Sequence, residues 1–341
     1  MSSATLARPH QSVKGTTVSQ PPDELYLEVT NRCNLKCTTC PQFWGMSEAS
    51  ADLSPESVRA ILDQLPSVRR VVLHGIGEPT LNPRLPAIIA EVKARGAYAL
   101  FNTNGLTLRG RLQERIVASG LDEVRVSVDA ATPETYRLVR GADGFSRIIE
   151  NILGVARAKE RAGSLTPRLS LWMTGLRTNI LELPDLVRVA AGAGVNEVYL
   201  QRLVYSGRGT AREEEALFGR AAEAEKRAIR EAQALADELG VTLHGSSEAL
   251  PLGEVPGYEA APWRACRRPW TLMYITANGN VLPCCISPFT DAPYESLVLG
   301  NVFHQPLEDV WNGQRYQHWR GRMLDGAPPA ACASCGSGWA L

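Results

Sequence analysis

Residues 25–42 read LYLEVTNRCNLKCTTCPQ. The stretch opens as a β-strand over 25–30 and runs directly into three cysteines, Cys33, Cys37 and Cys40. A loop that follows a strand of a parallel sheet stands at the strand's C-terminal end, where such folds place function. Three is an awkward number of thiols. Disulfides take cysteines in pairs, and structural zinc takes four ligands. A [4Fe–4S] cube held by three thiolates would leave one iron open.

Outward from this stretch the chain alternates strand-like and helix-like runs. Strands are predicted over 25–30, 69–75, 97–103, 123–129, 168–174 and 196–203, with amphipathic helical patterns between them, several ending in Gly. Ser54 with Pro55 and Glu56 reads as an N-cap and first turn, and Thr132 as a second cap. Six strand–helix units predict a parallel sheet with right-handed crossovers, either part of a barrel or an open doubly wound sheet. Residues 209–240 read as one long helix ending at Gly240.

The expected organisation is a flexible polar leader (1–22), a strand–helix core (23–244), a Pro-, Gly- and Ser-rich linker (245–263) and a cysteine-rich segment (264–341). In the last, 272–284 reads as a hairpin turning at Asn278-Gly279, and 306–324 as a helix. Lys plus Arg equals Asp plus Glu at 36 each, so charge gives no support for a nucleic-acid or membrane-surface partner. No long apolar run predicts a membrane span, and the leader lacks the apolar stretch of a secretory signal. A cytoplasmic protein is expected. There thiols stay reduced, so eight cysteines point to metal or catalysis before disulfides.

The stretch EVTNRCNLKCTTCPQ (28–42) resembles the cluster loop of radical S-adenosylmethionine (SAM) enzymes. The resemblance implies a partial (β/α)6 barrel and a [4Fe–4S] cluster on Cys33, Cys37 and Cys40, whose open iron chelates the amino and carboxylate groups of SAM. One electron then cleaves SAM to a 5′-deoxyadenosyl radical that abstracts hydrogen from the substrate. HGIGEPTLNP (74–83) resembles the family's Gly-Gly-Glu-Pro segment and implies Gly75, Gly77 and Glu78 at the methionine ammonium. FNTNG (101–105) brings in Asn104, and VSVDAATPETYRLVRG (126–141) brings in Ser127 and Asp129, placed on one face by strand alternation, as SAM or substrate contacts. The plain alternative for these residues is turn-making and helix capping. Where many members carry an aromatic residue before the third cysteine, this chain has Thr39, so that position gives no adenine stacking.

Cys266, Gly279, Cys284, Cys332 and Cys335 resemble the opening of the SPASM extension of these enzymes, in its shortened "twitch" form. That implies a small α+β subdomain with one auxiliary [4Fe–4S] cluster on Cys266, Cys284, Cys332 and Cys335, suited to electron transfer. Taken alone, four cysteines ending in C-x2-C would equally suit zinc. Cys285 could substitute for Cys284 or be a buried thiol, and the thiol is the expectation.

The expected reaction is decarboxylation or dehydrogenation of a small sugar or nucleoside in antibiotic biosynthesis. Models are the decarboxylase of cytosylglucuronic acid in blasticidin biosynthesis and the aminocyclitol dehydrogenase of butirosin biosynthesis. A carboxylate substrate would want an Arg at the barrel mouth, for which Arg177 and Arg202 are placed. A flavodoxin or ferredoxin-type donor would supply the electron. The alternatives are modification of a ribosomal peptide, disfavoured here by the short stretch before the first strand, and a non-enzymatic iron–sulfur or zinc protein.

Overall fold

The computed structural model describes residues 15–45, 48–204, 207–217, 220–245, 263, 266–333 and 335. Most of the expected linker, 246–262, lies outside the described residues.

All six expected strands are present: β1 (Glu24–Leu27), β2 (Arg70–Leu73), β3 (Tyr98–Thr103), β4 (Glu123–Ser127), β5 (Arg168–Gly175) and β6 (Glu197–Arg202). Between them run α1 (Pro41–Trp44), α2 (Pro55–Asp63), α3 (Leu85–Lys93), α4 (Arg111–Ala118), α5 (Pro133–Arg140), α6 (Phe145–Ala162) and α7 (Leu183–Gly192). The caps work as their chemistry demands. The Ser54 hydroxyl accepts the Ser57 N–H at 3.1 Å, and the Thr132 hydroxyl accepts that of Thr135. The helix α5 ends on Gly141 with φ +72°, a left-handed conformation that glycine reaches without strain.

Two features differ from the sequence expectation. The long helix over 209–240 starts only at Glu223: α8 spans Glu223–Leu239. The charged run before it is spent on loop contacts, with the Glu215 carboxylate accepting both the N–H and the hydroxyl of Thr178. A seventh parallel strand, β7 (Thr242–Gly245), then pairs with β6.

The C-terminal segment does not stand apart. Its hairpin, β8 (Leu272–Ile275) and β9 (Asn280–Leu282), joins the same sheet, with β8 parallel to β1 in register Leu25↔Met273. The sheet order is β10-β9-β8-β1-β2-β3-β4-β5-β6-β7, where β10 is Gly300–Asn301. The first strand is therefore central, with β2 on one side and β8 on the other, and Leu25 and Leu27 are fully buried. Around the hairpin pack α9 (Arg268–Thr271), α10 (Tyr294–Leu297), α11 (Leu307–Trp311), α12 (Gln314–Leu324) and α13 (Ala330–Ala333). The expected single helix over 306–324 is split into α11 and α12 at Asn312-Gly313.

Residues 15–20 are held to this C-terminal segment, which corrects the flexible leader for the part described. The Val18 backbone exchanges hydrogen bonds with the Asn312 amide at 3.0 Å. The Trp311 indole donates to the Gln20 carbonyl, and the buried Arg320, stacked on Trp311 and Tyr316, donates to that of Thr16.

Candidate active site

The loop after β1 is fixed at both ends. The Asn31 amide bonds Ala49 and Ala51, and Thr30 and Arg32 both bond Asp52. At the far end Cys40 stands at the N-terminus of α1 and accepts from Phe43. In the middle, Thr38 donates its N–H to the Val139 carbonyl, and its hydroxyl pairs with that of Thr210 at 2.6 Å. A Cβ on Gly209 would lie 1.9 Å from the Thr38 carbonyl oxygen, so the 207–211 loop is seated directly on the cysteine loop.

Burial pushes Cys33 up to about 11 and Cys40 up to about 12, and it raises Cys37 as well. The thiols also raise one another. Iron binds thiolates, so loading this loop must release protons. A four-iron cluster spreads its thiolates over several metal atoms, and three thiolates leave one iron open.

Glu78 ties the neighbouring loops together. It is 3% exposed, and its carboxylate accepts the hydroxyls of Thr80 and Thr103 and the backbone N–H groups of Thr80 and Asn104. Asn104 in turn donates to the Asn34 side chain at 2.8 Å, inside the cysteine loop. The two glycines serve close packing of the chain on itself: a Cβ on Gly77 would lie 2.0 Å from the Thr30 carbonyl oxygen, and one on Gly75 would lie 2.3 Å from Cγ of Glu28. These residues assemble the wall of the site, and the expected contact of Glu78 with an ammonium group would have to share a carboxylate already engaged by four donors.

Asp129 does not lie on the strand with Ser127. The strand β4 ends at Ser127, and Asp129 takes φ +59°, uncommon for a residue with a side chain. Its carboxylate accepts the Thr174 N–H at 2.6 Å and the Arg140 guanidinium at 3.0 Å. Arg140 also donates to the Ser127 carbonyl. Burial works against the Arg140 charge, but Cys37 and Asp129 beside it hold its pKa above the ordinary value. The sequence reading missed Arg140; a buried Arg eleven residues after an acidic turn gives no local signal.

The two arginines expected at a carboxylate separate. Arg177 donates to the Arg220 carbonyl and pairs with Glu225 of α8. Arg202 stays at the end of β6, where burial pushes it down to about 10.

The other four cysteines meet. Cys266, Cys284, Cys332 and Cys335 line one small apolar cavity closed by Trp263, Trp319 and Met323. Burial pushes Cys335 up to about 12 and Cys332 higher. Cys285 is not among the lining residues; its thiol lies with Tyr26 and Arg268, and burial raises it to about 11. An apolar chamber with four thiols fits an iron–sulfur cluster with every iron ligated.

Between the two cysteine groups is a larger cavity of about 430 Å³. Pro41 and Gly45 at the two ends of α1, Ile76 of the glycine loop, and Tyr274, Leu282 and Tyr294 of the C-terminal segment line it. Glu28 and Glu48 face it, and the Arg208–Asp291 ion pair spans it from the 207–211 loop to the C-terminal segment.

Comparison with known proteins agrees with this layout. Residues 27–166 match the Radical SAM superfamily, and residues 266–336 match SPASM, an iron–sulfur cluster-binding domain. The chain is 29% identical over 319 residues to a PqqA peptide cyclase of Streptomyces rochei, covering 91% of this chain and 81% of that protein. It is 25% identical over 320 residues to the tungsten-containing aldehyde ferredoxin oxidoreductase cofactor-modifying protein of Pyrococcus furiosus, covering 87% and 82%. Streptococcus suis SuiB, in its crystal structure with the precursor peptide SuiA, shares the fold at a TM-score of 0.69 and 16% identity, covering 89% of this chain and 67% of SuiB. A barrel that matches one domain and a C-terminal segment that matches the other place the chain in the radical SAM superfamily, among its SPASM-bearing members, with SAM and two [4Fe–4S] clusters as cofactors.

Proposed function

We propose that this chain modifies a peptide by radical chemistry in the cavity between its two cysteine groups. The observation that carries the reading is the alignment with a protein named as a peptide cyclase, which this chain matches over 81% of that protein's own length. The short stretch before β1 therefore does not separate this chain from peptide-modifying relatives. The sugar-acid decarboxylation expected from sequence loses one of its two supporting arginines, since Arg177 is bound to α8.

Cys33, Cys37 and Cys40 would hold the SAM-binding cluster, and Cys266, Cys284, Cys332 and Cys335 the auxiliary one. SAM and the first cluster supply hydrogen-atom abstraction from an unactivated carbon. The chain's own residues do the rest. Glu78 and Asn104 fix the glycine loop and the cysteine loop to each other, and Arg140 holds Ser127 and Asp129 in place. Ser127 and Arg202 remain candidate contacts for SAM or substrate. A flavodoxin or ferredoxin-type protein in the cytoplasm would donate the electron. Among the described residues no helix is long and apolar enough to cross a membrane.

The test is anaerobic incubation of the reconstituted enzyme with SAM, dithionite and synthetic peptides copied from short reading frames beside its gene. A mass change in one peptide, matched by 5′-deoxyadenosine, is expected. Turnover of cytosylglucuronic acid with no change in any peptide would return the reading to the sugar class.

A further inference from the structure

We propose that Glu28 is the proton acceptor of this reaction: a catalytic carboxylate in the wall of the 430 Å³ cavity, between the SAM-binding loop and the auxiliary site. The inference rests on that cavity being the place where substrate reacts.

Glu28 directly follows β1 and is 2% exposed, yet it lines the cavity. Its Oε1 accepts the Ile76 N–H at 2.7 Å and its Oε2 accepts the Ala277 N–H at 3.2 Å. These hold the carboxylate in one place between the glycine loop and the β8–β9 turn. Tyr274 reaches it from β8, at 3.5 Å from Oε1. The helix α1, which follows Cys40, forms part of the cavity wall through Pro41 and its C-cap Gly45, and Leu282 of β9, two residues before Cys284, forms another part.

A second carboxylate, Glu48, faces the same space and is kept for a different task. Its oxygens accept from Thr276, Asn278, Asn280 and Tyr294, so it is fully engaged in tying the β8–β9 hairpin to the loop after α1. Glu28 has backbone donors and, among the described residues, no hydrogen-bonded cation. The titratable groups beside it are Glu48, Tyr274 and Tyr294, while Arg208, which lines the same cavity, is ion-paired with Asp291. Burial first, then the Glu48 charge, push it up to about 7, against the pull of the Ile76, Ala277 and Gly77 N–H groups. A carboxylate poised near neutrality is matched to proton transfer at working pH.

The step balances as follows. A substrate carbon that has lost a hydrogen atom carries one unpaired electron. An N–H, O–H or C–H bond next to it breaks, and its proton goes to the Glu28 carboxylate. Of that bond's two electrons, one pairs with the unpaired electron to make the new bond. The other passes to an oxidised iron–sulfur cluster, the acceptor class that the C-terminal cysteines are suited to hold.

The test uses the reconstituted holoenzyme, wild type and Glu28→Gln, with the synthetic peptides described above. The ratio of modified peptide to 5′-deoxyadenosine should fall by about 10²–10⁴-fold in the variant. In the wild type the same ratio should rise with pH through about 7. An unchanged ratio in the variant, or a flat one in the wild type, overturns the proposal. Infrared titration gives a readout free of turnover: a protonated-carboxyl band should vanish near pH 7 in the wild type and be missing from Glu28→Gln. A wild type with no such band above pH 6 overturns the proposal even if the variant does not fold. If no peptide is modified by the wild type, the peptide reading fails, and the infrared result still decides for Glu28.

Discussion

Arg140 donates to Asp129 at 3.0 Å with both side chains nearly buried, and the pair stands beside the Cys37 thiol. The pair joins three elements: the end of β4, the end of α5 and, through the Asp129 bond to Thr174, β5. Breaking a buried pair strands the surviving charge, which costs about 3–5 kcal/mol. Arg140→Met is therefore expected to lower the urea midpoint of the holoenzyme sharply. Asn tolerates the left-handed backbone at position 129. Asp129→Asn combined with Arg140→Met should then recover part of the loss, and a double-mutant cycle on unfolding free energies checks this.

The cysteines sort by iron content. Wild type should carry about eight irons, four per cubane. Cys37→Ala and Cys284→Ala should each fall to about four, with SAM cleavage lost only in the first. Cys285→Ala should stay at about eight, because that thiol lies with Tyr26 and Arg268 and not in the cavity. Colorimetric iron assay and 5′-deoxyadenosine counts read both. A halved iron content in Cys285→Ala would exchange the roles of Cys284 and Cys285.

What could be read from sequence follows the range of the interactions. The first cysteine loop and the caps at Ser54 and Thr132 are legible because their partners lie within a few residues. The six core strands are legible because each is a short apolar run before a helical pattern. The pairing of β8 with β1 is not, since Leu25 and Met273 meet across 248 positions and nothing local encodes which edge a hairpin joins. Without that pairing the cavity between the cysteine groups does not exist on paper, and Glu28 reads as one more strand residue. Asp129 departs from strand alternation for a different reason: β4 stops at Ser127 and the chain turns to positive φ at Asp129.

The glycine loop gives a steric test. Alanine at Gly77 would place Cβ against the backbone oxygen of Thr30, which cannot swing aside. A loss of about 3 kcal/mol or more is expected, at the upper end of overpacking costs. At Gly75 the obstacle is the Glu28 side chain, so Gly75→Ala should cost less stability while displacing that carboxylate. Gly192, the last residue of α7, has open space around it, and Gly192→Ala should be neutral or stabilise by up to about 1 kcal/mol. Denaturant midpoints should rise in the order Gly77→Ala, Gly75→Ala, Gly192→Ala.

Glu28 makes stability depend on pH in a defined direction. Its pKa is raised in the folded chain, from an ordinary 4.5 to about 7. Between those values the folded state holds a proton that the unfolded state has released, so stability falls as pH rises. The full effect, 2.5 pH units at 1.36 kcal/mol each, is roughly 3 kcal/mol, and roughly 2 kcal/mol of it lies between pH 5.5 and 7.5. Glu28→Gln lacks this titration. The difference in unfolding free energy, wild type minus variant, should therefore decline by about that amount across the interval. Other titrating groups cancel in the difference, which isolates the one carboxylate. A difference that stays level would mean that Glu28 is ionised throughout, held by its backbone donors as a bracket between Ile76 and Ala277 and nothing more.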